Sequence, residues 1–190
     1  MVEILGWLVI CIVVADLVVG CVHWMEDTYC SDDTVHGRFL SKFVGHYVCE
    51  ENIEHHVNPR KMVGGSFFHR NLLPWSSALV ASLLLLLTPY SYWQAHLVFW
   101  ISSFGNEVHL WSHLLEKELN PFQRFLKEAG IVQDKRQHML HHKWPYTSNY
   151  CVLIQFNNAW MERVNFWRKL EFILSIVGIH PQRENRRDSK

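Results

Sequence analysis

An all-α fold in a membrane is what this sequence predicts, from three observations. Apolar residues are segregated into long stretches, although the mean hydropathy of the chain is only −0.04. Histidines recur at helical spacing, in tight groups beside those stretches. Basic residues are confined to the segments that carry these groups. The expected architecture is about three transmembrane helices with interfacial amphipathic helices. A length of 190 residues fits one domain, expected over 1–181, followed by a charged tail, 182–190, expected to be disordered.

The elements follow in order. Ile4 to Val22 is apolar except for Gly6 and Asp16, long enough to cross most of a hydrocarbon core of roughly 30 Å. No basic region precedes it and no Ala-x-Ala site follows, so it reads as a retained segment and not as a cleaved signal. It runs directly into Gly20-x-x-His23-Trp24-x-x-Asp27-Thr28, where Asp27 is expected to orient His23 or to act as a ligand beside it. Ser31 to Gly37 is polar and reads as a loop. Val44 to His56 reads as a helix ending near Asn58, because Pro59 follows.

A second apolar region, Leu72 to Phe104, is interrupted by Thr88-Pro89-Tyr90-Ser91 and predicts a hairpin of two helices. Its second arm, roughly Tyr92 to His113, is apolar up to Ser102 and then carries Asn106, Glu107, His109 and His113. Ionisable residues at the end of a spanning helix are expensive and usually functional. Asn120-Pro121 supplies an N-cap and a first-turn proline for an amphipathic helix ending before Gly130. Val164 to Val177 is a second amphipathic candidate, equally readable as an interfacial or a core helix.

Eight of the 13 histidines stand in four groups: His23, His55-His56, His109-x3-His113 and His138-x2-His141-His142. Neutral imidazole is the commonest metal ligand, and residues three or four apart share a helix face. A single pair is as easily a packed helix side. Histidine here, however, outnumbers each of Asp, Glu, Lys and Arg, which surface composition does not explain.

Of the 18 Lys and Arg, five lie between His23 and Asn71 and the other 13 follow Phe104. The positive-inside rule then puts all four histidine groups on the cytoplasmic face, with the N-terminus and the Pro89 turn opposite. A single shared metal site on one face follows from this, without reference to the histidine spacing. Five cysteines, an odd number with no C-x-x-C pair, predict neither a disulfide framework nor a zinc ribbon. Gly-rich phosphate loops, H-E-x-x-H and G-x-S-x-G are absent, which argues against nucleotide binding and against zincin and serine hydrolase chemistry.

Eight imidazoles suit two metal ions, each with about four nitrogen ligands and open positions for dioxygen. Zinc has no redox chemistry and prefers four ligands, so a redox metal at headgroup depth, oxidising a lipid chain, is the better expectation.

At this point the motifs resemble a known family. Gly20-x-x-His23-Trp24-x-x-Asp27-Thr28, Glu54-His55-His56-x-x-Pro59, Asn71, His109-x3-His113, His138-x-x-His141-His142-x-x-Pro145, Asn149-Tyr150-Cys151 and Phe166-Trp167-Arg168-x-Leu170-Glu171 are together similar to the Kua/CarF lipid desaturases. That family includes plasmanylethanolamine desaturase and a plastid phosphatidylglycerol trans-desaturase. The resemblance runs from about Asp16 to Arg183 in the family order.

The resemblance implies a non-haem di-iron lipid desaturase that uses dioxygen and electrons from a cytochrome b5 or ferredoxin type carrier. It dehydrogenates an alkyl or acyl chain of a phospholipid. As ligands and catalytic residues it implies His23, His55, His56, His109, His113, His138, His141 and His142. Asp27, His46 and His69 stand as additional candidates, His69 because it occupies a position where an acidic residue is expected. His36, His96 and His180 receive no role. The alternatives are a lipid hydroxylase on the same di-iron site and a non-enzymatic membrane metal-binding protein. The expected location is the endoplasmic reticulum membrane or a bacterial inner membrane, with no nucleic-acid partner.

Overall fold

The computed structural model describes residues 2–31 and 45–183, and the side chains of all of these except 45–47. Among the described residues the chain is helical throughout, with no strand. The polar loop expected at Ser31 to Gly37 lies, after Ser31, outside the described residues, as does the tail from position 184.

Helix α1, Val2–Tyr29, is the one helix among the described residues long and apolar enough to cross a membrane. At 1.5 Å per residue its 28 residues span about 42 Å, more than a hydrocarbon core needs. Only 22% of its most apolar window is buried, so it is not a conventional core helix. Its buried residues are Cys11, Ala15, Asp16, Gly20, His23, Trp24, Asp27 and Thr28, a stripe at three- and four-residue steps.

A π-helical turn, Gly45–Glu50, leads into α2, Glu51–Val57, and the helix stops where Pro59 forbids its continuation. A short α3, Lys61–Gly64, precedes α4, Phe67–Leu86. The hairpin turn falls where Thr88-Pro89 predicts it, and α5 begins at Trp93. The single helix expected from Tyr92 to His113 is instead two, α5 (Trp93–Ser102) and α6 (Gly105–His113). Ser103 turns its hydroxyl back onto the Trp100 carbonyl, 2.7 Å away, and Phe104 N–H bonds Ile101 O at 3.1 Å, a tightened turn that ends α5. Gly105 then lets α6 meet α1 closely: a Cβ there would lie 2.9 Å from Val19 Cγ1.

The remaining elements are α7 (Pro121–Glu128), α8 (Lys135–His141), α9 (Phe156–Arg163) and α10 (Phe166–Ile176). The predicted cap of α7 is present: Asn120 Oδ1 accepts from Gln123 N–H while Gln123 Oε1 accepts from Asn120 N–H, each at 2.9 Å. In α10, Trp167 and Glu171 face the protein, whereas Phe172, Ile173 and Ile176 are exposed.

Between α8 and α9, Tyr150 to Ile154 runs without regular structure, every side chain buried against α1. Buried irregular backbone must find partners for its N–H groups. Asp16, fully buried in α1, supplies one: its Oδ1 accepts from Leu153 N–H at 2.7 Å, and its Oδ2 from Asn157 Nδ2 at 2.8 Å. Asn158 Oδ1 takes the N–H of Cys151 at 2.9 Å.

One expectation from cysteine counting fails. Cys30 and Cys49 form a disulfide, because the end of α1 and the turn entering α2 meet with Cα atoms 5.2 Å apart. Cys11 and Cys151 are free and buried, and Cys21 is free and half-buried.

Candidate metal centre

Each of the four predicted histidine groups lies at a helix end. His23 and Asp27 occupy the last turns of α1, one turn apart on its buried face. His55 and His56 close α2, His109 and His113 lie on α6, and His138 and His141 lie on α8, with His142 at its C-cap.

Folding assembles them into two clusters. The first contains His55, His109, His113, His138 and His142, and the second His23, Asp27, His56 and His141; within each, one ligand atom per residue lies within 4.8 Å of every other. All eight predicted histidines and Asp27 are thereby brought together. His69 is exposed and in neither cluster, and the side chain of His46 lies outside the described residues.

The first cluster has the dimensions of a coordination sphere. Nε2 of His138 stands 2.9 Å from that of His109, 2.8 Å from that of His113 and 3.0 Å from that of His142, and His109 and His113 are 3.3 Å apart. First-row metal–imidazole bonds are about 2.0–2.1 Å long, so two ligands at right angles are about 2.9 Å apart. The same nitrogens cannot satisfy one another as hydrogen-bonding groups, because each offers one proton or one lone pair. Nε2 of His55 is buried with no hydrogen-bond partner. A cation is the partner that satisfies them all.

In the second cluster Asp27 is the centre. Its Oδ1 is 2.7 Å from His56 Nε2, and its Oδ2 is 3.2 Å from His141 Nε2 and 3.5 Å from His23 Nε2. Asn52 Nδ2 donates to the same Oδ1 at 2.9 Å and fixes the carboxylate. His23 Nδ1 lies 3.1 Å from Tyr150 O, and His141 Nδ1 lies 2.8 Å from Ser148 O. A carbonyl only accepts, so both Nδ1 atoms carry the proton and both Nε2 atoms present lone pairs to the cluster. The irregular segment held by Asp16 thus also sets the tautomer of His23 through Tyr150, and Ser148, two residues before it, sets that of His141. Asn52 and the Ser148 and Tyr150 carbonyls are absent from the sequence reading: a main-chain acceptor leaves no mark in a sequence.

Electrostatics agree with a metal-ready site. Burial, then the repulsion of neighbouring imidazoles, holds His55, His138 and His142 well below the ordinary histidine range, so their lone pairs are free at neutral pH. His138 and His141 are inaccessible to solvent, while His55 and His142 are half-buried, which makes them the edge of the first cluster nearest water.

Comparison with known proteins agrees with these motifs. A probable fatty acid desaturase of Acanthamoeba polyphaga mimivirus is 28% identical over 94% of this chain and 84% of that protein. Plasmanylethanolamine desaturase 1 of Mus musculus is 28% identical, covering 90% of this chain and 65% of the relative. Plasmanylethanolamine desaturase of Myxococcus xanthus is 26% identical, covering 90% and 60%. This chain therefore spans less than two thirds of the length of the mouse and bacterial relatives. No solved structure matches. The sequence model of the lipid desaturase domain covers residues 12–184, from within α1 to one residue past the last described one, and the chain belongs to that family.

Proposed function

We propose that this chain is a membrane lipid desaturase that removes two hydrogens from adjacent methylenes of a phospholipid alkyl or acyl chain. The observation that carries the reading is the convergence of eight histidines and Asp27 into two adjoining clusters at the end of an apolar helix. The overall reaction is –CH2–CH2– + O2 + 2e⁻ + 2H⁺ → –CH=CH– + 2H2O. Two non-haem iron ions are the group these ligands suit: five imidazoles exceed the four positions of a zinc site, and a carboxylate among imidazoles is a ligand set iron accepts. When bound, they supply dioxygen reduction and the oxidising power needed to break an unactivated C–H bond.

The chain's own residues do the rest. His55, His109, His113, His138 and His142 would hold one ion, and His23, Asp27, His56 and His141 the other. The Tyr150 and Ser148 carbonyls keep His23 and His141 aimed, and Asn52 keeps Asp27 turned toward His56. The substrate is drawn from the bilayer, whose tails would meet the exposed apolar side chains of α4, among them Leu72, Leu79, Val80 and Leu83. By analogy with the mouse and bacterial relatives, an ether-linked alkyl chain giving a vinyl ether is the first substrate to test. The histidine sites would lie at the membrane surface, in the endoplasmic reticulum or a bacterial inner membrane.

The test is reconstitution with iron, a reductant and a labelled ether phospholipid, followed by mass spectrometry. An alkene two mass units lighter than the substrate is expected. Hydroxylated lipid without alkene would make the enzyme a hydroxylase. Stoichiometric zinc without iron, in protein never exposed to chelator, would remove redox chemistry altogether.

A further inference from the structure

We propose that the outward face of α8 is the docking surface for an acidic one-electron carrier protein, an inference that rests on the desaturase reading above. Reducing dioxygen to two waters takes four electrons; the substrate yields two, and the other two must be delivered from outside. A carrier must therefore approach the histidines from the water side, and α8, which buries His138 and His141 and exposes its other side, offers one such approach.

The helix is divided by side. Successive residues step about 100° around the axis. His138, His141 and His142 accordingly share the inward side, while Arg136 points opposite, flanked by Met139 and Leu140; Lys135 stands at the start of the helix and Lys143 just beyond its end. Lys135, Arg136, Met139, Leu140 and Lys143 are all exposed, Met139 at 41% and Leu140 at 46%. No Asp or Glu occurs between Lys135 and Lys143. The face is thus a small apolar pair with Arg136 between its members and a lysine at each end of the helix, the complement of a carrier with an acidic rim. Complementary charge of this kind steers association and raises the on-rate more than it raises affinity, which suits a partner that must leave after each electron. A carrier seated there lies about one helix diameter, roughly 10–12 Å, from the imidazole rings on the other side.

An anionic lipid surface is the competing occupant. The apolar content favours the protein carrier. Helix α10 exposes Phe172, Ile173 and Ile176 together and offers a far better face to a bilayer than Met139 and Leu140 set among three charges.

The experiment uses the full chain, iron-loaded, in phosphatidylcholine nanodiscs, with the reduced soluble haem domain of cytochrome b5 as probe. Stopped-flow reoxidation of the haem should slow as ionic strength rises. In the K135E/R136E/K143E variant, with iron content and melting temperature as in the parent, the second-order rate constant should fall by at least about tenfold and lose its salt dependence. Carbodiimide should join carboxylates of the probe to Lys135 or Lys143 in the parent chain. Unchanged reoxidation in the charge-reversed variant, or cross-links mapping elsewhere, overturns the proposal. So does a variant that loses binding to phosphatidylglycerol vesicles while its haem oxidation is intact, since the face is then a lipid contact. Dithionite with the parent chain separates the two readings. Absence of alkene under dithionite, iron and dioxygen removes the desaturase reading, while the cross-linking still reports on the docking face.

Discussion

Nε2 of His56 lies 2.7 Å from Oδ1 of Asp27, both side chains inaccessible to solvent and 29 residues apart in sequence. That contact joins α1 to α2 at the point where the second cluster forms. The same oxygen accepts from Asn52 one turn earlier in α2. Removing the Asn52 amide takes one hydrogen bond from the carboxylate while sparing every candidate ligand. Asn52→Ala is therefore expected to weaken one of two bound metals by about 10–100-fold, the range for lost partners of metal ligands. Asp27→Ala is expected to lower bound iron from two per chain to one. Metal analysis after dialysis against graded chelator reads both, and full retention of two ions in D27A would remove Asp27 from the site.

Asp16 is expected to matter for stability ahead of metal binding. It accepts the N–H of Leu153, in the irregular segment whose Tyr150 orients His23, and the amide of Asn157, in α9. Asp16→Ala orphans two buried donors at about 1–3 kcal/mol each, whereas Asp16→Asn keeps one acceptor oxygen and should cost less. Thermal unfolding in detergent should rank the parent above D16N and D16N above D16A.

The approach of α6 to α1 depends on Gly105. A Cβ there would stand 2.9 Å from Cγ1 and 3.0 Å from Cγ2 of Val19, so Gly105→Ala overpacks the contact and should cost about 1–3 kcal/mol. Val19→Ala removes both methyls. The double variant G105A/V19A is expected to be more stable than G105A alone, a positive coupling that a double-mutant cycle measures.

The metal-free protein should lose stability in acid. His55, His138 and His142 are held below the ordinary histidine value in the folded chain by burial and by their neighbours. An unfolded histidine titrates near 6.5, so below that pH the unfolded state binds protons that the folded state refuses. Stability is therefore retained above about pH 6.5 and falls below it, by up to about 1.4 kcal/mol per pH unit for each such histidine. Melting temperatures of chelator-treated protein should hold from pH 7.5 to about 6.5 and fall from there to 5.5, and a profile flat throughout would contradict the buried neutral imidazoles.

Much of this arrangement was legible before any coordinates. The apolar segment that becomes α1, the hairpin turn at Thr88-Pro89, the cap at Asn120 and the four histidine groups are local patterns, set by composition, helical periodicity and residues that start or stop a helix. The Cys30–Cys49 bond, the break at Ser103–Phe104 and the buried run from Tyr150 to Ile154 were not, since each depends on what another part of the chain brings alongside.

The histidine doublets mark the boundary between the two kinds of information. By itself the sequence grouped His55-His56 and His141-His142 with the other candidate ligands, and drew no division between the members of a doublet. Only the tertiary structure decided which way each turned: His55 and His142 to the five-histidine cluster, His56 and His141 to Asp27. The reason is physical: helical spacing fixes directions around one axis, but a coordination sphere needs side chains from α1, α2, α6 and α8 to meet, and their crossing is set by packing around Asp16, Gly20 and Gly105 on residues remote in sequence.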